Sequence, residues 1–181
     1  MEDYSPPTSR SRADELEGDI EILAESPVIS GMLRAASGLL AILNEHRQVI
    51  SVNHAMLETL GVDDPRQVLG LRPGEALQCS HAQAGPDGCG TGIFCDTCGA
   101  AMSIAASLAR DEPVERFCAL SATRDGAQVN LCLAVRSCPV AVGDKRYVLL
   151  FMQDITRFQE WASLERVFFH DINNVIGSLL G

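Results

Sequence analysis

The hydrophobic positions change period several times along the chain, and each change marks an element. Leu16, Ile20 and Leu23 recur at helical spacing between Ala13 and Glu25, which predicts a short amphipathic helix. Ser26-Pro27 offers an N-cap with proline at the first helical position, so a second short helix starts there, with Gly38 available to close it. The period then shortens. Leu39 to Leu43 is an apolar strand, Asn44 to Gln48 a polar turn, and Val49 to Val52 the returning strand. Asn53 caps a helix through Leu60 that Gly61 ends, and another helical piece is expected around Pro73 to Leu77. Ala100 to Arg110 reads as a longer helix, followed by strands at Val114–Ala122, Gln128–Val142 and Arg146–Gln153. In the middle strand Val129, Leu131, Leu133 and Val135 share one face, and Asn130, Cys132, Ala134 and Arg136 the other. Asp125-Gly126 and Gly143-Asp144 supply the turns. The predicted fold class is α+β, a five-stranded antiparallel sheet with helices gathered on one side. From Thr156 the pattern is helical again. Trp161, Leu164, Phe168, Ile172, Val175 and Leu179 advance by three or four residues, a seam for a partner helix.

Composition narrows the setting. The chain has 181 residues, 46% of them hydrophobic, enough for a real core. Its formal net charge of −10 repels phosphates, so nucleic acid and anionic lipid are poor partners. Lys145 is the only lysine. The polar, acidic N-terminus is no signal peptide, and no window approaches the ~20 apolar residues of a membrane span. A cytoplasmic location with reduced thiols is expected, and seven cysteines, an odd number, argue against a secreted disulfide framework.

Four of those cysteines crowd into Cys79 to Cys98 with glycines around the last three. Cys79, Cys89, Cys95 and Cys98 can complete a tetrahedral thiolate shell, and Cys95-Asp96-Thr97-Cys98 is the tight pair usual in metal sites. Gly88, Gly90, Gly92 and Gly99 let backbone amides turn toward sulfur. Zinc and an iron–sulfur cluster both accept four thiolates. A closed shell needs nothing further, which tips the expectation toward Zn2+. The bland alternative is a set of incidental free thiols. His81 could replace one thiolate or be a solvated loop residue, and Cys118, Cys132 and Cys138, at strand positions, read as small core residues.

On the last helix, His170 falls roughly opposite the centre of the seam, with Asn174 about 40° away on the same outer face. Periodicity alone makes His170 an ordinary solvated residue. The string His170-Asp171-Ile172-Asn173-Asn174, with Phe168-Phe169 before it and apolar residues after, resembles the phospho-acceptor box of bacterial sensor histidine kinases. Upstream, the two-strand, helices, three-strand order is similar to a PAS domain. Asn53-His54-Ala55-Met56 resembles that family's Asn-x-Ala helix start, and Gln153-Asp154-Ile155-Thr156 its Asp-Ile-Thr ending.

The resemblance implies a division of the chain. Residues 1–12 would be a disordered N-terminus and 13–36 a helical flank. Residues 37–156 would be a PAS sensor domain with its cysteine-rich insertion at 79–98, and 157–181 the start of a signalling and dimerisation helix. It also implies roles. His170 would accept the γ-phosphoryl group of ATP, Asp171 would orient the ring and take its proton, and Asn174 would position a water for dephosphorylating a response regulator. The implied partners are a second copy through the C-terminal helix, a receiver domain, and a kinase catalytic domain in cis or in trans. No Gly-rich ATP-binding segment occurs here, so a piece of a longer kinase is expected. The alternative is a non-catalytic, metal-binding or redox-sensing PAS module that regulates a partner. A third possibility is an interaction domain stapled by zinc.

Overall fold

The structure, a computed structural model, describes residues 7–124 and 126–159. The phospho-acceptor string with His170, Asp171 and Asn174, and the seam around it, lie outside the described residues, as does Asp125 of one turn.

Two helices, α1 (Ala13–Ala24) and α2 (Pro27–Ala35), precede strands β1 (Leu39–Asn44) and β2 (Val49–Val52). Helix α3 (His54–Leu60) and the single turn α4 (Pro73–Ala76) lead to the cysteine loop, and α5 (Gly99–Arg110) follows it. Strands β3 (Val114–Arg124), β4 (Ala127–Val142) and β5 (Lys145–Asp154) complete one antiparallel sheet in the order β2-β1-β5-β4-β3. The expected α+β class and the five strands are present. No helix among the described residues is long and apolar enough to cross a membrane.

The sheet is buried on both faces, which explains why β1 and β5 are nearly continuous apolar runs. One face carries Leu43, Val135, Val148 and Leu150 under Met56, Ile104 and Leu108 from α3 and α5. The opposite face carries Leu40, Ile42, Ile50 and Tyr147 under Leu23 of α1 and Ile29 of α2. The helices between β2 and β3 therefore gather on one side as expected, and the N-terminal flank covers the other. Lys145 Nζ and the Tyr147 hydroxyl both donate to buried Asp19 Oδ1, at 2.7 and 3.0 Å, fixing α1 to β5. Residues 7–12, expected to be disordered, are instead held. Arg72 donates to the carbonyls of Thr8 and Ser9, and Arg10 pairs with Glu75 at 2.6 Å.

Two polar side chains organise the element junctions. Asn53, 3% exposed, accepts from the Met56 amide as the cap of α3 and from the Leu40 amide of β1, and donates to the carbonyls of Ala36 and Gly38. At the far end Asp154 accepts from the Thr156 amide at 2.9 Å. Thr156 Oγ1 then accepts from the Cys132 amide of β4, and Ile155 N donates to the Cys132 carbonyl at 2.8 Å. Helix resumes at residues 156–159 directly from this clasp.

Replacing Asn53 with Ala removes a helix cap and strands a buried strand amide at once. Urea unfolding of Asn53→Ala should show a loss of about 2–4 kcal/mol, whereas a loss below about 0.5 kcal/mol would mean that surface-type contacts suffice there.

Candidate metal centre

Glycine positions decide where the thiols go. A Cβ on Gly74 would lie 2.6 Å from Cys89 Sγ, so α4 can pack against that sulfur only because residue 74 has no side chain. A Cβ on Gly99 would collide with the Phe117 carbonyl, so the start of α5 rests directly on β3. Gly88 and Gly90 take φ of 88° and 87°, the left-handed region, on either side of Cys89. The entry to the loop is pinned to the sheet edge: Ser80 N donates to the Ser121 carbonyl and Thr123 N to the Gln78 carbonyl.

The result is convergence. Cys79, Cys89, Cys95 and Cys98 all line one cavity of about 370 Å³, with Leu131, Leu133 and Met152 of the sheet behind them. His81 stacks on Phe94 at 4.1 Å between ring centroids on the rim. Gly90 N donates to Cys95 Sγ at 3.2 Å. Backbone amides near Cys79, Cys89 and Cys98 pull each of these thiols toward the thiolate, the form a metal binds, but burial outweighs them at Cys79 and Cys89.

Sequence reasoning missed three contributors. Cys118, read as a core residue, is 1% exposed but lines the same cavity, with its Sγ 3.7 Å from Cys98 Sγ. Strand alternation was the available signal, since Cys118 and Ala122 share the inward face of β3. Cys132 and Cys138 do not line the cavity. The other two are arginines. Arg47, at a left-handed φ of 65°, sends its guanidinium to the Gly90 carbonyl and back to Pro7. Arg72, fully buried, donates to the carbonyls of Asp87 and Cys89. No pattern in the sequence announced either.

The electrostatics are uneven. Burial, then the positive charges of Arg47 and Arg10, pull Arg72 below its ordinary value, and Glu75 restores part of the loss. Burial would raise Glu75, but hydrogen bonds from Arg10 and from the amides of Arg72 and Cys89 hold it below the carboxylate range. Beside the thiols, Arg10 pairs with Glu75, and the charges of Arg47, Arg10 and Glu75 all bear on Arg72. Within the cavity, burial pushes the Cys89 thiol up to about 12. Cys98 moves the other way, lowered by its contact with Cys118 and by the Ala100 and Ala101 amides at the helix start.

No protein-family model and no curated protein matches the sequence. Among solved structures, the chain is similar to the PAS domain of nitrogen regulation protein NR(II) from Vibrio parahaemolyticus. Identity there is 13%, over 72% of this chain and all of that one, with a TM-score of 0.48. It is also similar to the PAS domain of an HTR-like protein from Haloarcula marismortui, at 15% identity over 78% and 99% of the two chains, TM-score 0.46. The PAS domain of BvgS from Bordetella pertussis gives 17%, 81% and 96%, TM-score 0.43. The fold is PAS-like. That assignment stands on the strand order and on the helices between β2 and β3.

Gly74→Ala should destabilise the reduced, metal-free protein by about 1–3 kcal/mol in urea, because the added methyl must displace Cys89. Gly31→Ala, in mid-helix with nothing within 4 Å, should stabilise it by about 0.5–1 kcal/mol. The same sign for both variants would refute the packing account.

Proposed function

We propose that this PAS-like domain is the sensing module of a two-component signalling protein and that Cys79, Cys89, Cys95 and Cys98 hold a metal centre within it. The observation that carries the proposal is the convergence of four thiols on one cavity, with the Gly90 amide donating to Cys95 Sγ. Such outer contacts orient and tune ligating thiolates.

The cavity also bears on which centre it is. Its volume of about 370 Å³ exceeds what a single ion fills, and all four sulfur-bearing residues line it. Among the described residues no three His, Cys, Asp or Glu side chains group closely enough to hold one ion. We take the centre to be an iron–sulfur cluster, which a cavity of this size accommodates, rather than the zinc that spacing alone suggested. Such a cluster would supply an electron-accepting centre. The chain's own part is to bind it through four sulfurs, shield it behind Leu131, Leu133 and Met152, and set the Arg47 guanidinium on the cavity wall beside it.

Output would pass through the helix that begins at Thr156. We take His170 as the phospho-acceptor, Asp171 as its orienting carboxylate and Asn174 as the residue positioning water. A second copy, a receiver domain and an ATP-binding catalytic domain would be the partners. These roles rest on the resemblance of residues 168–181 to the phospho-acceptor box and on the Asp154–Thr156 clasp ahead of it. The second reading, a regulatory module without phosphotransfer, becomes the answer if the histidine takes no phosphate.

Two measurements test the proposal. Anaerobically purified protein should be brown and contain iron and sulfide. Cys95→Ala should lose the metal and Cys132→Ala keep it, and equal metal content in both variants would reject the ligand set. Labelled ATP with a purified kinase catalytic domain should give an acid-labile, base-stable label that is absent from His170→Gln. No transfer in either protein would leave only the regulatory module.

A further inference from the structure

Four thiolates complete either kind of centre, yet five cysteines line this cavity. The surplus one is Cys118. Its contact with Cys98 is built by the fold: Gly99 lets the start of α5 rest on β3, placing the residue before the helix 3.7 Å, sulfur to sulfur, from the inward side chain of the strand. Closing to the ~2.05 Å of a disulfide takes a movement of less than about 2 Å. Cys98 is partly exposed toward the cavity and Cys118 is buried behind it.

We propose that Cys98 and Cys118 form a reversible disulfide site, so that Cys98 serves either as a ligand or as half of a disulfide. The exclusivity rests on the metal centre proposed above; the disulfide rests on the geometry alone. The oxidant is a hydroperoxide. The accessible Cys98 sulfur attacks one peroxide oxygen, the O–O bond breaks, and water leaves with the thiol proton, giving a sulfenic acid. The Cys118 sulfur attacks that sulfur, the S–S bond forms, and the sulfenic oxygen leaves as water with the second thiol proton. Two thiols and one hydrogen peroxide become one disulfide and two waters, with the electrons passing from sulfur to oxygen. A dithiol reductant returns both thiols by exchange. Loss of the centre would thus free Cys98 to be locked away from reloading until reductant is present.

The sequence makes the bond easy to read. Cleavage after arginine and before aspartate releases residues 96–110, containing Cys98 alone, and residues 117–124, containing Cys118 alone. The full chain is purified anaerobically, its metal content measured, and one portion stripped by chelator under reductant. Stripped and loaded portions are then exposed to hydrogen peroxide, blocked with a thiol reagent and analysed by mass spectrometry. The stripped protein is expected to yield the joined peptides, lighter than their sum by two hydrogens. That product should vanish with dithiol reductant and in Cys118→Ser, and persist in Cys132→Ser, with circular dichroism confirming that both variants fold. The metal-loaded protein should yield it far more slowly. Absence of the joined peptide, or preferential joining of Cys98 to Cys79, Cys89 or Cys95, overturns the site. Equal joining with metal bound overturns the exclusive use of Cys98. A preparation without metal that still forms the bond refutes the metal centre and leaves the disulfide site standing.

Discussion

The start of α5 lies on the carbonyl of Phe117 with no space for a side chain between them, and the chemistry of the domain depends on that contact. It sets the distance between a helix and an edge strand. It also turns Cys98 into the residue that precedes the helix, where the amides of Ala100 and Ala101 meet its sulfur. Along β3 the same registry leaves Cys118 and Ala122 facing inward, and Ala122 forms the bridge that holds Cys79 at the loop's entry. One close approach therefore fixes three of the five thiols. A larger residue at position 99 would separate helix from strand, and the cavity with them.

The remaining order comes from charge rather than from packing. Burying a guanidinium is costly unless its donors are met, and the two terminal nitrogens of Arg72 meet carbonyls of Thr8, Ser9, Asp87 and Cys89, while its buried Nε has no partner among the described residues. Arg47 donates to the carbonyls of Gly90 and Pro7. Carbonyls satisfy hydrogen bonds but not positive charge, and for Arg72 the Glu75 carboxylate offsets only part of what burial and its neighbouring cations cost. The two arginines also join the cysteine loop to residues 7–10, so the N-terminal stretch and the centre share one hydrogen-bonded frame.

How much of this could be read in advance follows from where the information is stored. The strands, α3 and α5 were legible because each is written in local period, and Asn53 and Gly61 mark the bounds of α3 by caps that act within a few residues. The flank's place on the second face was not legible. Its apolar stripe at Leu16, Ile20 and Leu23 says that α1 packs on something, but only the Asp19 contacts to Lys145 and Tyr147, more than a hundred residues away in sequence, say on what. Within the centre the four clustered cysteines were visible from spacing. Cys118 was not, because a cysteine in a strand looks the same whether it packs against leucine or against sulfur. Residues 7–12 look disordered by composition, yet two arginines elsewhere in the chain hold them.

On the proposed function, a route from cavity to helix runs through a single strand segment. Leu131 and Leu133 of β4 line the cavity, and the residue between them, Cys132, points away from it. Both backbone groups of Cys132 are engaged at the exit: its amide donates to Thr156 Oγ1, and its carbonyl accepts from Ile155. A change in what fills the cavity acts first on Leu131 and Leu133, which line it. Any shift of those side chains along the strand moves the peptide groups of Cys132, and these are the groups that set how the chain enters its last helix. Signal transfer of the proposed kind would need no large motion. It would need only that the clasp around Thr156 have two arrangements of similar energy, since a bound centre that favoured one of them by a few kcal/mol would be enough to shift the population of the other.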